Sequence, residues 1–168
     1  MFGLLRARRL HHPRGNVGLR VRFADGSNAE VYRETRVGGG RAEDPALLVV
    51  GFVLRGVHGR AHLAFRLESW LNIPMFVGFP GLSSKLWMTH DGHGCYRGIY
   101  EWDGAERAVS YVRALSWVLG LVSVPGSIKA HIVPGIRRDD ALSRPDLLGP
   151  DEEKTKTWWK PGTPVRLH

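Results

Sequence analysis

The 168-residue chain has a single cysteine, Cys95, so it can form no intrachain disulfide and holds no CxxC pair for a metal or redox centre. Long apolar runs are also missing. The two longest charge-free windows, residues 69–84 and 114–128, are each broken by proline and fall short of the ~20 residues a membrane span needs. The N-terminus reaches Arg6 before an apolar stretch long enough for a signal peptide can form. Together with the lone cysteine this predicts a cytoplasmic protein with no membrane partner. There is no Gly-x-Ser-x-Gly, no Gly-x-x-x-x-Gly-Lys-Ser/Thr and no Gly-x-Gly-x-x-Gly behind a strand, which leaves serine-hydrolase, P-loop and dinucleotide readings without support.

Acidic residues are in the minority, and the formal net charge is +8. The excess is spread along the chain, and only Arg6, Arg8, Arg9, Arg14, Arg20 and Arg22 form a basic stretch free of acids. With no zinc finger, RNP-like motif or helix-turn-helix, nucleic acid is not the expected partner. The basicity reads instead as solubility and attraction for anionic ligands. His90-Asp91-Gly92-His93-Gly94-Cys95 gathers four metal-ligand residue types, but the spacing matches no standard site and the glycines mark a hairpin turn. No metal and no cofactor are expected.

What is present is a strong pattern of elements. Val17, Leu19, Val21 and Phe23 alternate with polar or small residues, Asp25-Gly26 turns the chain, and residues 29–37 form a second strand. Gly38-Gly39-Gly40 and a polar stretch separate this hairpin from the rest of the chain, suggesting boundaries at 1–45, 46–135 and 136–168. Residues 47–54 read LLVVGFVL, a strand covered on both faces. Leu63, Leu67, Trp70 and Leu71 mark an amphipathic helix that Pro74 stops. Residues 82–90 and 96–102 predict a hairpin. Asp103 and Glu106 suggest a capping box for a helix whose apolar positions are 105, 108, 109, 112, 115, 119 and 122. Trp117, Val118 and Leu121 widen that stripe, so more than one layer should cover it. Residues 127–133 form a further strand, and the polar remainder is an irregular tail whose Trp158-Trp159 pair should dock on the domain or on a partner subunit.

The order is strand, helix, strand, strand, helix, strand: an α+β, ferredoxin-like split βαβ-βαβ with an antiparallel four-stranded sheet. Two helices on one face would leave the other face bare, and the residue 47–54 strand has no polar alternation to suit water. A second copy packed sheet to sheet would cover it, which predicts a homodimer.

Pro80-Gly81, Lys85, Trp87 and then Gly98-Ile99-Tyr100 stand in the order PG, K, x, W, G-I-Y. In this the chain resembles the YdhR-like monooxygenases of the dimeric α/β-barrel superfamily, over about residues 46–135. Arg97 stands where that pattern has a second glycine, and the N-terminal hairpin and the tail lie outside it. The superfamily includes cofactor-free quinol- and anthrone-type monooxygenases, haem-degrading enzymes, cyclases, isomerases and decarboxylases. The resemblance implies a small cavity between sheet and helices with aromatic walls, for which Trp70, Phe76, Phe79, Trp87, Tyr96, Tyr100 and Trp102 are available. Cofactor-free oxygenation asks for a base and for oxyanion donors. His62 is the first candidate base and His131 the reserve; Arg97, Lys85 and Tyr100 are candidate donors. The expected function is thus a cofactor-independent monooxygenase acting on a hydrophobic aromatic or polyketide-like molecule. A cyclase or isomerase using the same pocket, and a non-catalytic ligand-binding or assembly module, stay open beside it.

Overall fold

The computed structural model describes residues 10–38, 41–55, 80–150 and 157–167. In chain order these form β1 (Leu10–His11), β2 (Leu19–Arg22), β3 (Asn28–Val37), β4 (Pro45–Val53), β5 (Leu82–Met88) and β6 (Cys95–Asp103). Helix α1 (Ala105–Gly120), β7 (Lys129–Pro134), α2 (Arg138–Ser143), a 3-10 turn (Pro145–Leu148) and β8 (Val165–Arg166) complete the order. The helix expected over residues 61–74, with His62 and Trp70, and the Phe76 and Phe79 that follow it lie outside the described residues.

β4 has no polar side chain, and the sheet is arranged around it. It pairs antiparallel with β6 on one side and β7 on the other, and β6 pairs with β5. The central order β7-β4-β6-β5 is fourth, first, third, second, the ferredoxin-like order, so the α+β class and this topology are given by the strand pairing itself. The sheet does not stop at four strands, however. β3 pairs antiparallel with β5, β2 with β3, and β8 with β2, while β1 also pairs with β3. The predicted accessory hairpin is therefore part of the sheet.

Alternation along β4 sends its side chains to two cores. Ala46, Leu48 and Val50 meet Tyr100, Trp102 and the α1 residues Ala108, Tyr111, Leu115 and Leu119. The helix itself differs from expectation at both ends. Gly104, at φ 102°, is its N-cap and supplies no side-chain cap, because Asp103 Oδ1 instead accepts the N–H of Asp44 at 2.9 Å. At the other end Trp117 and Leu121 are 76% and 69% exposed, with no cover among the described residues.

Leu47 and Val49 point to the opposite core, together with Leu86, Met88 and Ile99. This is the face predicted to be bare, and the chain covers it with its own segments. A register shift between Val31 and Arg33 breaks the regular pairing of β3 with β5, and Val21, Phe23, Ala29 and Val31 of the β2–β3 hairpin join Leu47 and Val49. Ala141 and Leu142 of α2 and Trp159 of the tail join them. Trp158 lies against Gly51, where a Cβ would come within 2.9 Å of its ring. Each large apolar side chain buried here contributes roughly 1.5–3 kcal/mol. The tail is thus not irregular throughout and its Trp158-Trp159 pair docks on the domain, so the burial argument for a second copy on this face no longer holds.

Buried charge ties the cover down. Arg138 and Glu34, each with a side chain 1% exposed, pair at 2.7 Å, and Glu101 Oε1 accepts the Arg138 backbone N–H at 3.1 Å. Among the described residues no helix is long and apolar enough to cross a membrane.

Candidate functional site

On the helix face, the outward rows of β5 and β6 bring the sequence candidates together. The register sets Lys85 opposite Tyr100, Trp87 opposite Gly98 and Leu82 opposite Trp102. The Lys85 ammonium lies 3.2 Å from the centre of the Trp87 ring and 4.7 Å from that of Tyr100, and all three residues are buried. Negative ring faces turned to a cation are a favourable arrangement inside a protein. Trp87 is held from behind, its Nε1–H donating to Thr35 Oγ1 on β3 at 3.1 Å.

Tyr100 folds back over Gly98. A Cβ on that glycine would lie 2.9 Å from the ring's Cε2 and 3.2 Å from the hydroxyl. This gives the Gly-Ile-Tyr motif a physical reason: the tyrosine reaches its position only over a residue without a side chain. From α1, Tyr111 donates its hydroxyl proton to the Tyr100 oxygen at 3.1 Å, with the rings 5.3 Å apart. Tyr111 also lies 4.8 Å from Trp102, ring centre to ring centre. Burial pushes the pKa of both phenols up, and for Tyr111 the neighbouring Tyr100 adds to it, so both are protonated at neutral pH. Trp102 is fully buried, and its Nε1–H meets no acceptor among the described residues. Tyr96, at the more exposed end of the row, stacks on Phe52 at 5.8 Å and takes the edge of His90 at 5.5 Å.

The remaining candidates part company with this row. Arg97 sits on β6 between Tyr96 and Gly98, so its side chain leaves by the other face. There it is buried, donating to Asp91 Oδ2 at 2.6 Å, Asp25 Oδ2 at 3.3 Å and the Trp158 carbonyl at 3.1 Å, with Phe23 under its guanidinium at 4.4 Å. It fastens the turn, the hairpin and the tail to one another and does not serve as an oxyanion donor beside Tyr100. His131 is on that face too, stacked on Trp159 at 3.8 Å and 13°. Burial there, and then Lys160, lower its pKa. His62, Trp70 and Phe76 fall outside the described residues.

Asp91 explains the turn that invited a metal reading. Its Oδ1 accepts the N–H groups of His93 and Cys95 at 2.8 and 3.1 Å while Oδ2 holds Arg97, so both oxygens are committed. Burial works against this carboxylate, but the Arg97 hydrogen bond and the two backbone donors outweigh it and hold its pKa below the ordinary range. An open groove of about 540 Å³ runs between the hairpin and the tail, lined in part by Arg22, Phe23, Asp25, Pro145 and Lys160. None of the residues of the aromatic row lines it.

Two contributors were missed in the sequence. Tyr111 stands outside the stripe 105, 108, 109, 112, 115, 119 and 122, although it lies three residues after Ala108 and four before Leu115 and is buried with them. Thr35 carried no signal at all, since its role depends on which strand β3 pairs with.

No protein-family model and no curated protein matches the chain. Among solved structures, the chain is similar to an uncharacterised ferredoxin-fold protein related to antibiotic biosynthesis monooxygenases from Listeria monocytogenes. The identity is 14% over 67% of this chain and 66% of that one, just under two thirds of its length, with a TM-score of 0.48.

Gly98→Ala should displace the Tyr100 ring and break its bond to Tyr111, destabilising the fold by about 1–3 kcal/mol, the usual cost of overpacking a tight core. Denaturant unfolding with near-ultraviolet circular dichroism checks this, and an unchanged midpoint and spectrum would contradict the close approach. Asp91 gives a pH test. Its folded pKa is depressed, so its contribution is complete above the ordinary carboxylate value and is lost as pH falls through the folded one. Wild-type stability should therefore drop on acidification below about pH 4, and Asp91→Asn should show a shallower acid limb. Parallel limbs would show that the carboxylate is not held in this way.

Proposed function

We propose that the row from Phe52 and Tyr96 to Trp102 is one wall of a small-molecule site between the sheet and its helix layer, and that the protein is a cofactor-independent monooxygenase. Its substrate on this reading is a flat, hydrophobic aromatic or polyketide-like molecule with an ionisable oxygen. The observation that carries the reading is the Lys85 ammonium between Trp87 and Tyr100, beside a phenol whose oxygen already accepts from Tyr111. A Tyr100 hydroxyl with its acceptor side engaged is left with its own proton to donate. A cation and a neutral donor at one spot in an aromatic wall stabilise an oxyanion, and they do so most effectively away from water.

In the reaction a substrate CH2 between activating groups loses a proton to a base and its carbanion delivers electrons to O2. One oxygen atom becomes the new carbonyl and the other leaves as water, so no outside reductant enters. Lys85 and Tyr100 stabilise the enolate or phenolate form. The base in this proposal is His62.

A ligand-binding role without turnover is the second reading. It is favoured by the positions of Arg97 and His131 on the far face, which among the described candidate bases leave the exposed His90, touching the rim of the row at Tyr96. Oxygen uptake with anthrone and quinol substrates, measured beside ligand binding, separates the two. Tyr100→Phe should lower uptake on the order of 10²-fold, as loss of one oxyanion donor does elsewhere, while changing affinity far less. Binding without uptake in the wild type would favour the second reading. Conversion without oxygen consumption would point to cyclisation or isomerisation, and equal uptake by Tyr100→Phe would remove the tyrosine from the chemistry.

A further inference from the structure

We propose that the C-terminal tip of α1 and the turn after it form a docking surface for an anionic phospholipid bilayer. Trp117 and Leu121 are 76% and 69% exposed, and Val118 and Val124 are 40% exposed each. Buried positions of α1 are Ala108, Tyr111, Leu115 and Leu119, and Trp117 projects from the side of the helix opposite to them. Arg113, Trp117 and Leu121 succeed one another at intervals of four and so share one outer stripe. The residues from 114 to 128 carry no charge, yet the helix keeps only one side in the core. The cover that this composition calls for is not supplied by the described residues.

Charge and area both indicate what supplies it. No acidic residue occurs between Glu106 and Asp139 in the sequence, and Arg113, one turn before Trp117, is exposed. Arg55 is fastened to the turn, its backbone N–H donating to the Val122 carbonyl at 2.8 Å and its guanidinium to the Ser123 carbonyl at 3.3 Å. An apolar tip with Arg113 and Arg55 beside it, in a stretch of sequence without an acid, matches a surface of anionic headgroups over acyl chains. An indole is the side chain best suited to the boundary between them. A second copy fits less well, because four side chains offer roughly 450 Å² where a stable dimer needs about 800 Å² from each subunit. The proposal does not depend on the chemistry assigned to the aromatic row.

The test is co-sedimentation of the full-length protein with phosphatidylcholine vesicles and with vesicles that also contain phosphatidylglycerol. Wild-type protein is expected to pellet several-fold more with the anionic vesicles. Trp117→Ser/Leu121→Ser should stay in the supernatant with an unchanged unfolding midpoint, both positions being exposed. Arg113→Glu, which leaves the apolar tip intact, should lose most of the preference for the anionic lipid. The proposal is overturned if wild type fails to pellet with either vesicle, pellets equally with both, or is matched by the double variant. It is also overturned if light scattering shows a dimer that the double variant converts to a monomer, which would make the tip a subunit interface.

Discussion

A strand of nine residues without one polar side chain must be covered on both faces, and β4 is that strand. Its hydrogen bonds are satisfied by β6 and β7, so what remains to be satisfied is apolar surface. The helix side is the usual solution, with α1 laying Ala108, Tyr111, Leu115 and Leu119 over Leu48 and Val50. The other side is solved within the same chain, by a hairpin that curls over Leu47 and Val49 and a tail that closes on them with Trp159.

β6 links these two solutions. Successive residues of a strand point to opposite faces, so Arg97 and Gly98 are neighbours with unrelated tasks. Arg97 gathers Asp91, Asp25 and the Trp158 carbonyl, which joins the β5–β6 turn to the hairpin and the tail. Gly98 makes room for Tyr100, and with it for the contact to Lys85 and Tyr111. The charged groups under the cover are valuable as locators more than as stabilisers, because desolvation offsets most of the attraction in a buried pair. Glu34 and Arg138 each keep a further partner, Arg36 and Asp139, both at 2.8 Å, so loss of either one would not leave the other charge alone.

Much of this was legible in the amino-acid sequence. The uninterrupted apolar run of β4, the β5–β6 hairpin and the order of the central elements can be read from local periodicity, and the strand pairing agrees. Of the candidate site, Lys85, Trp87, Tyr96, Tyr100 and Trp102 share the helix face. Arg97 could have been separated from them by counting, since 97 and 100 differ by an odd number along one strand, whereas the face of His131 depends on the β4–β7 register that sets it opposite Val49. The cover was not legible, because it depends on β3 crossing to β5 and on residues more than a hundred positions apart meeting, as Arg138 meets Glu34. The failed cap at Asp103 has the same origin: a tertiary partner, Asp44, took the carboxylate that local pattern assigned to the helix.

The claim most exposed to test is that hairpin and tail belong to the same cooperative core as β4. Amide hydrogen exchange reads it directly, because three cover amides have defined partners: Ala24 donates to the Lys160 carbonyl, Lys160 to Thr157 and Gly162 to Arg22. If one core includes them, the Ala24 and Gly162 amides exchange only by global unfolding, at the same free energy as the paired amides of β4. Exchange of these amides at fraying rates while β4 stays protected would contradict the account and leave the sheet face to be covered by something else.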